Sequence, residues 1–471
     1  MREGGHMRET GHARETGHVQ EEGQEGGHAP RRRHARLVGH GQQDIVRRGR
    51  RSRRRRTVIG LVLAATTAAT AAATTSALID PAAATGPTAA WHHTSSYRGD
   101  VVSVKRLRVL SAEYVRAVLA STGFDADPEV IRSGVRTYRV VYYTIDPRGR
   151  RTTASGLVAL PRTEDRWLQV VSYAHGTEIN RADAPSTATD LEANSWGQAP
   201  ALTYAAAGFA AVAPDYLGYG VGPGDHPWLD VPSETSASLD LLRAARTVAA
   251  REGRKFKRDV LVTGFSQGAS AATGLGKALW AGADPSFRLG ALAPVSGAYD
   301  LRSVELPAWL NGQVAWPFGV GYTAFFLVSW NRLYHLYRSP AEVFQDPKVA
   351  TLFDGKHTGE QILAGLPATT GKLLTPHGFD LLRNPWDGLA VGLWAADHTC
   401  SNWNPRAPVR LFVGGADHQV PRANSEHCQA AFLARGADAP IINLGPNVGH
   451  LDSNKAGTAA VVRWFRQQVQ Q

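Results

Sequence analysis

From about Val135 onward, apolar and polar positions alternate between two rhythms. Arg136-Thr137-Tyr138-Arg139-Val140-Val141-Tyr142-Tyr143-Thr144 has the period-two, β-branched and aromatic character of a strand. Asp146-Pro147-Arg148-Gly149 supplies a turn and residues 152–160 a return strand, which together predict a hairpin. Short apolar runs at 168–173, 209–213, 260–263, 289–295, 409–413 and 441–444 have the length of buried strands. Helical stretches separate them. One runs over 200–207, with Pro200 in the first turn where its missing N–H costs nothing. A second is capped by Ser233, carries Leu241, Ala245, Val248 and Ala249 on one face, and ends at Gly253. Others cover 267–278 and, last, 458–469. An antiparallel start followed by strand–helix units predicts an α/β fold, a mostly parallel central sheet with helices on both faces.

Residues 301–403 break that rhythm. They hold six of the 12 tryptophans together with Phe318, Phe325, Phe326, Tyr334 and Tyr337, and no convincing strand. This predicts a helical insertion over the sheet edge where ligands bind, dividing the core into 85–300 and 404–471.

Composition changes the picture chiefly at the N-terminus. The chain has 471 residues, is 43% hydrophobic and 20% charged, and so is globular rather than disordered. Its formal charge of +11 invites a nucleic-acid role. Residues 1–56 account for most of it, with 15 arginines against 7 acids, which leaves 37 basic and 34 acidic residues beyond. The body therefore carries only +3, and no nucleic-acid partner is predicted. The leader also contains a repeat, Arg8-Glu9-Thr10-Gly11-His12-Ala13 then Arg14-Glu15-Thr16-Gly17-His18-Val19, and six of the 17 histidines. Such a tract can bind metal, but a polar repeat with no apolar face is read first as disordered.

Arg47 to Arg56 then precede Thr57-Val58-Ile59-Gly60-Leu61-Val62-Leu63-Ala64-Ala65, with small residues at Ala82-Ala83-Ala84. A cationic region, a short apolar run and a small-residue site over 57–84 have the layout of a secretory signal. Arg55-Arg56-Thr57-Val58-Ile59 partly matches a twin-arginine signal but lacks the Ser/Thr before the pair. The rival is a membrane anchor, for which about 20 predominantly apolar residues are wanted. Export makes sense of the only two cysteines, Cys400 and Cys428, as one extracellular disulfide, against the alternative of two buried thiols. Two cysteines exclude a Cys-based zinc cluster, and neither a metal nor another cofactor is predicted.

The chemistry gathers around Gly264-Phe265-Ser266-Gln267-Gly268, a G-x-S-x-G match. With 48 glycines and 25 serines in 471 residues, chance alone gives about a quarter of such a match, so context decides. The motif follows a buried strand and opens a small-residue helix, the setting in which a serine is exposed on a strained elbow as a nucleophile. A serine needs a base, and the base an orienting carboxylate. Asp417, in Gly414-Gly415-Ala416-Asp417-His418-Gln419-Val420-Pro421, and His450, in Gly449-His450, each lie in the loop after a strand. The order Ser266, Asp417, His450 is that of α/β-hydrolases. His418, Asp452 and the Asp397-His398 pair compete for these roles, but the first two adjoin a member of the set and the pair lies in the insertion. For the oxyanion, backbone N–H groups of Thr177, after the strand in Tyr173-Ala174-His175-Gly176-Thr177, and of Gln267 are the candidate donors. His175 is read as structural, its imidazole bonding the loop.

Ala174-His175-Gly176-Thr177, Asp215-Tyr216-Leu217-Gly218-Tyr219-Gly220 with His226-Pro227, Gly264 to Gly268, Gly414 to Pro421 and Gly449-His450 together resemble the secretory lipase family of α/β-hydrolases, most nearly its bacterial lipase/esterase members. The resemblance spans roughly residues 111–471. It implies carboxylic-ester hydrolysis through an acyl-enzyme, a small-molecule or lipid ester as substrate, and a helical cap over the acyl pocket with transient contact to a lipid interface. Fungal members carry an acidic residue near the oxyanion loop, and this sequence presents no clear counterpart. Two rivals stay open: a serine peptidase or other acyl hydrolase with the same triad, and a non-catalytic binding protein on a hydrolase fold.

Overall fold

The computed structural model describes residues 97–188 and 196–470. The predicted leader, apolar segment and cleavage zone lie outside the described residues. Nine strands form one sheet: β1 (Val101–Leu110), β2 (Val135–Ile145), β3 (Arg151–Pro161), β4 (Trp167–Ala174), β5 (Ala210–Pro214), β6 (Lys255–Phe265), β7 (Arg288–Val295), β8 (Leu411–Val413) and β9 (Ile441–Asn443). Their order across the sheet is β1-β2-β3-β5-β4-β6-β7-β8-β9. The pairs β1–β2, β2–β3 and β3–β5 are antiparallel, and every pair from β5–β4 to β8–β9 is parallel. The architecture is that of an α/β-hydrolase.

Alternation along the strands explains the layers. Val158, Val170, Val260 and Val262 point into one apolar layer, against Leu241, Leu242, Ala245 and Val248 of the helix Val231–Arg251 and Leu275 of the helix Gln267–Trp280. Their neighbours Leu157, Ala159, Val171 and Leu261 point into the opposite layer, against Leu202 and against Val461, Val462 and Phe465 of the helix His450–Gln470. Both faces of the central strands are therefore buried, which is why they read as continuous apolar runs.

Several elements differ from expectation, among them the unforeseen helix Ala112–Ser121. Strand β1 was not foreseen, because Val101-Val102-Ser103-Val104-Lys105-Arg106-Leu107-Arg108-Val109-Leu110 is an edge strand with most of its side chains partly or fully exposed. The helix Val231–Arg251 is capped by Asp230, not Ser233, because Asp230 accepts the Ser233 backbone N–H and Pro232 occupies the first turn. The last helix begins at His450, eight residues earlier than residue 458.

Between β7 and β8 the chain forms helices and no strand of the main sheet. This segment builds its own apolar cluster, in which Trp309, Phe325, Phe326, Trp330 and Leu393 pack with Trp228 and Val420. Cys400, just beyond the helix Asp387–Asp397, is disulfide-bonded to Cys428 in the helix Ala423–Leu433.

Candidate active site

The C-terminal ends of β6, β8 and β9 converge on one constellation. Ser266 follows β6 directly, at φ 57° and ψ −121°, and its N–H donates to the Val295 carbonyl of β7 at 2.9 Å. A positive φ at a non-glycine residue costs of the order of 1–3 kcal/mol and persists only where neighbours enforce it. Here the flanking glycines make the bend sterically possible: an added Cβ at Gly264 would collide with the Gly268 carbonyl, and one at Gly268 with the Ala174 carbonyl.

Backbone bonds bring the other two loops together. The Gly415 N–H donates to the Gly445 carbonyl and the Ala416 N–H to the Val448 carbonyl, each at 3.0 Å, so the loop after β8 is stitched to the loop after β9. Asp417 and His450 extend from that seam. Ser266 Oγ lies 2.9 Å from His450 Nε2, and His450 Nδ1 lies 2.7 Å from Asp417 Oδ2. With Nδ1–H donating to the carboxylate, Nε2 is the bare acceptor facing the serine hydroxyl. The Asp417 Oδ1 atom accepts the N–H groups of Gln419 and Val420, each at 2.9 Å. Burial pushes the Asp417 carboxyl up, but its bond to His450 and these N–H groups outweigh burial and hold it below the ordinary carboxylate range. Ser266 and His450 are 7% and 4% exposed, and the Phe265 ring packs 4.9 Å from the imidazole. The arrangement can take a proton from Ser266 and hold the resulting imidazolium beside a fixed anion.

The competing residues lie elsewhere. Asp452 pairs with Lys455 at 3.7 Å on the helix surface. Asp397 accepts the N–H groups of Leu301 and Arg302, and His398 Nδ1 lies 2.6 Å from the Trp394 carbonyl. His175 is buried, with Nδ1 2.7 Å from the Gly176 carbonyl and its ring 4.4 Å from that of Tyr216. Burial lowers it to about 4, so it is neutral.

Around the candidate oxyanion donors the structure adds residues that the motifs did not single out. The Thr177 hydroxyl accepts the Trp228 indole N–H at 3.0 Å, and Trp228 stacks 4.7 Å from Phe325 in the insertion. The Gln267 side-chain amide lies 2.6 Å from Glu234 Oε1 and 2.8 Å from His226 Nε2. Only His226 had a signal in the sequence, its place after the Asp215–Gly220 block; Glu234 reads as one more residue of a helical first turn. An acidic residue does follow Thr177: the Glu178 carboxyl is held well above its ordinary range, by burial and by the charge of Asp183. Asp215 receives the hydroxyl of Ser155 at 2.6 Å and the backbone N–H of Ser186 at 2.8 Å, so this block orders the loops beside the site. Among the described residues, no group of three or more His, Cys, Asp or Glu side chains could hold a metal ion, and no helix is long and apolar enough to cross a membrane.

No protein-family model and no curated protein matches the chain. Solved structures do. A hydrolase-like protein from Legionella pneumophila is 25% identical at a TM-score of 0.72, over 79% of this chain and 98% of that one. The rice cell wall degrading esterase LipA from Xanthomonas oryzae is 26% identical at 0.68, over 79% and 99%. Candida antarctica lipase A in its closed state, 16% identical at 0.59 over 80% and 83%, shares the fold. These neighbours agree with the likeness to lipases and esterases among the α/β-hydrolases.

Proposed function

We propose that this chain is an exported serine hydrolase of carboxylic esters. The observation that carries the proposal is the unbroken hydrogen-bonded line from Ser266 through His450 to Asp417, with the serine on a strained elbow. Ser266 Oγ attacks the ester carbonyl carbon while His450 Nε2 takes its proton. The tetrahedral oxyanion meets the backbone N–H groups of Thr177 and Gln267. Collapse breaks the bond to the alcohol oxygen, which leaves with the proton from His450. Water then repeats the sequence on the acyl-Ser266, releasing the carboxylic acid and restoring the serine. Asp417 holds the imidazole tautomer and stabilises the imidazolium throughout.

Ester rather than amide substrates are supported by the likeness to LipA, an esterase, and to lipase A. Residues 301–403 act as a cap whose aromatic cluster favours an apolar acyl group, since Trp228 links that cluster to Thr177. Exposed Trp316, Trp386 and Trp394 in the same segment supply its contact with a lipid interface. The Cys400–Cys428 disulfide supports export into an oxidising compartment.

Hydrolysis of p-nitrophenyl esters from acetate to palmitate by the full chain tests the reading. Turnover is expected with the wild type and a loss of at least about 10³-fold in kcat with Ser266→Ala. A Ser266→Ala variant as active as the wild type would refute it.

A further inference from the structure

Gln267 has two jobs to reconcile: it opens a helix immediately after the strained serine, and its backbone N–H is assigned to the oxyanion. Its side chain, 1% exposed, could hold either partner alone, yet it is held from two elements at once. The Glu234 carboxyl comes from the helix Val231–Arg251, 2.6 Å away, and the His226 imidazole from the loop before that helix, 2.8 Å away. Their chemistry is consistent. His226 Nδ1–H donates to the Leu217 carbonyl at 2.9 Å, so Nε2 is left as an acceptor for the amide. Burial lowers His226 to about 3, which keeps it neutral, and the bond to the Leu217 carbonyl selects that tautomer. Both N–H groups of the Gln267 amide are thereby used, one on each partner.

The partners are themselves immobilised. The His226 ring stacks 4.1 Å from Tyr219 and 5.8 Å from Tyr216. Glu234 and His226 are 1% and 4% exposed. Resting on the esterase reading above, we infer that Glu234 and His226 are positioning residues that clamp the Gln267 side chain and so fix its backbone N–H toward the oxygen that becomes anionic in the transition state. An unrestrained glutamine side chain retains rotamer freedom, and a first-turn N–H that wanders loses its alignment with the oxyanion. Because the oxyanion exists only in the transition state, loosening this donor lowers kcat and leaves KM nearly untouched.

The clamp carries a pH signature. Burial raises the Glu234 carboxyl to about 8, with the Gln267 bond and the Leu229 backbone opposing and the nearby Asp230 charge adding. The groups facing it are Asp230 on its own helix, His226 and Gln267 across the clamp, and the Tyr216 phenol, which Glu234 in turn raises. Below about pH 8 the clamp is neutral. Above it, a buried anion stands one side chain away from the site where the oxyanion develops and opposes its formation.

The experiment measures kcat and KM on p-nitrophenyl butyrate from pH 6 to 10 for the full chain and for Gln267→Ala, Glu234→Leu and Glu234→Gln. Stoichiometric labelling by a fluorophosphonate serves as a check that the fold and nucleophile are intact. Gln267→Ala and Glu234→Leu are expected to lose about 10–100-fold in kcat at pH 7, with KM within about threefold and labelling complete. Glu234→Gln, which keeps a neutral acceptor for the amide, is expected to recover kcat to within about threefold and to lack the decline above pH 8. An unaltered kcat in labelled Glu234→Leu, a loss confined to KM, or the same alkaline decline in Glu234→Gln would overturn the clamp. Should Glu234→Leu fail to fold, the Glu234→Gln profile decides alone. A folded wild type that neither turns over nor labels would instead overturn the esterase reading on which the clamp rests.

Discussion

Ser266 stands at a backbone angle that side chains avoid, and everything within one bond of it is arranged to keep it there. Gly264 and Gly268 clear the turn, the Val295 carbonyl holds its amide, and His450 meets its hydroxyl at 2.9 Å. Asp417 completes the line through a carboxylate that burial would neutralise and hydrogen bonds keep charged. Replacing it with asparagine leaves the shape but presents an N–H2 where the imidazole Nδ1–H needs an acceptor, favouring the wrong tautomer. Asp417→Asn is therefore expected to lower kcat about 10³–10⁴-fold with an unchanged thermal midpoint to within a few degrees, as steady-state kinetics and calorimetry would record. A residual activity within tenfold of the wild type would remove Asp417 from the triad.

At the level of elements, the loops after β8 and β9 are held together by the backbone seam between them, and the Cys400–Cys428 bridge ties the end of the insertion to the helix that follows the Asp417 loop. The bridge closes a sequence separation of 28 residues, for which chain entropy gives about 3.5 kcal/mol. The Cys400→Ser/Cys428→Ser double variant is expected to unfold in urea with a stability lower by about that amount. A midpoint equal to the wild type would mean that the bridge contributes nothing. Strands β4 to β8 were legible in the sequence because their central residues are buried and leave apolar runs, and the short edge strand β9 because Ile441 and Ile442 form one as well. Strand β1 was not, since Lys105, Arg106 and Arg108 on an exposed edge look like a loop. The Asp230 cap was missed because Ser233 offers the same chemistry three residues on, and only the backbone fold tells which side chain accepts. The helix start at His450 was hidden by Asp452, Ser453, Asn454 and Lys455, which lengthen a polar first turn. Of the candidate site, the G-x-S-x-G elbow was readable because glycine spacing is a local property. The Glu234 and His226 contacts to Gln267 were not, since they join residues 33 and 41 positions apart.

Across the molecule, burial holds several acids among the described residues above their ordinary range. Burial raises Glu234 and Glu305 each to about 8. A carboxyl raised on folding adds stability below its unfolded value, near 4.5, and that stability drains away as pH climbs through the folded value. The buried neutral histidines, His175 and His226, pull the other way only below their unfolded value of 6.5, so the thermal midpoint is expected to fall between about pH 6.5 and 8, and Glu305→Gln, which keeps an acceptor for Asn424, should flatten part of that slope. A midpoint independent of pH over this window would contradict the assignment of both acids as neutral in the fold.

The central claim, that Ser266 is the nucleophile of this molecule, is tested most directly by treating the full chain with a fluorophosphonate and mapping the adduct by peptide mass. A single adduct on Ser266, lost in His450→Ala, is the predicted result. A folded chain that stays unmodified, or that is modified at a different serine, would contradict it.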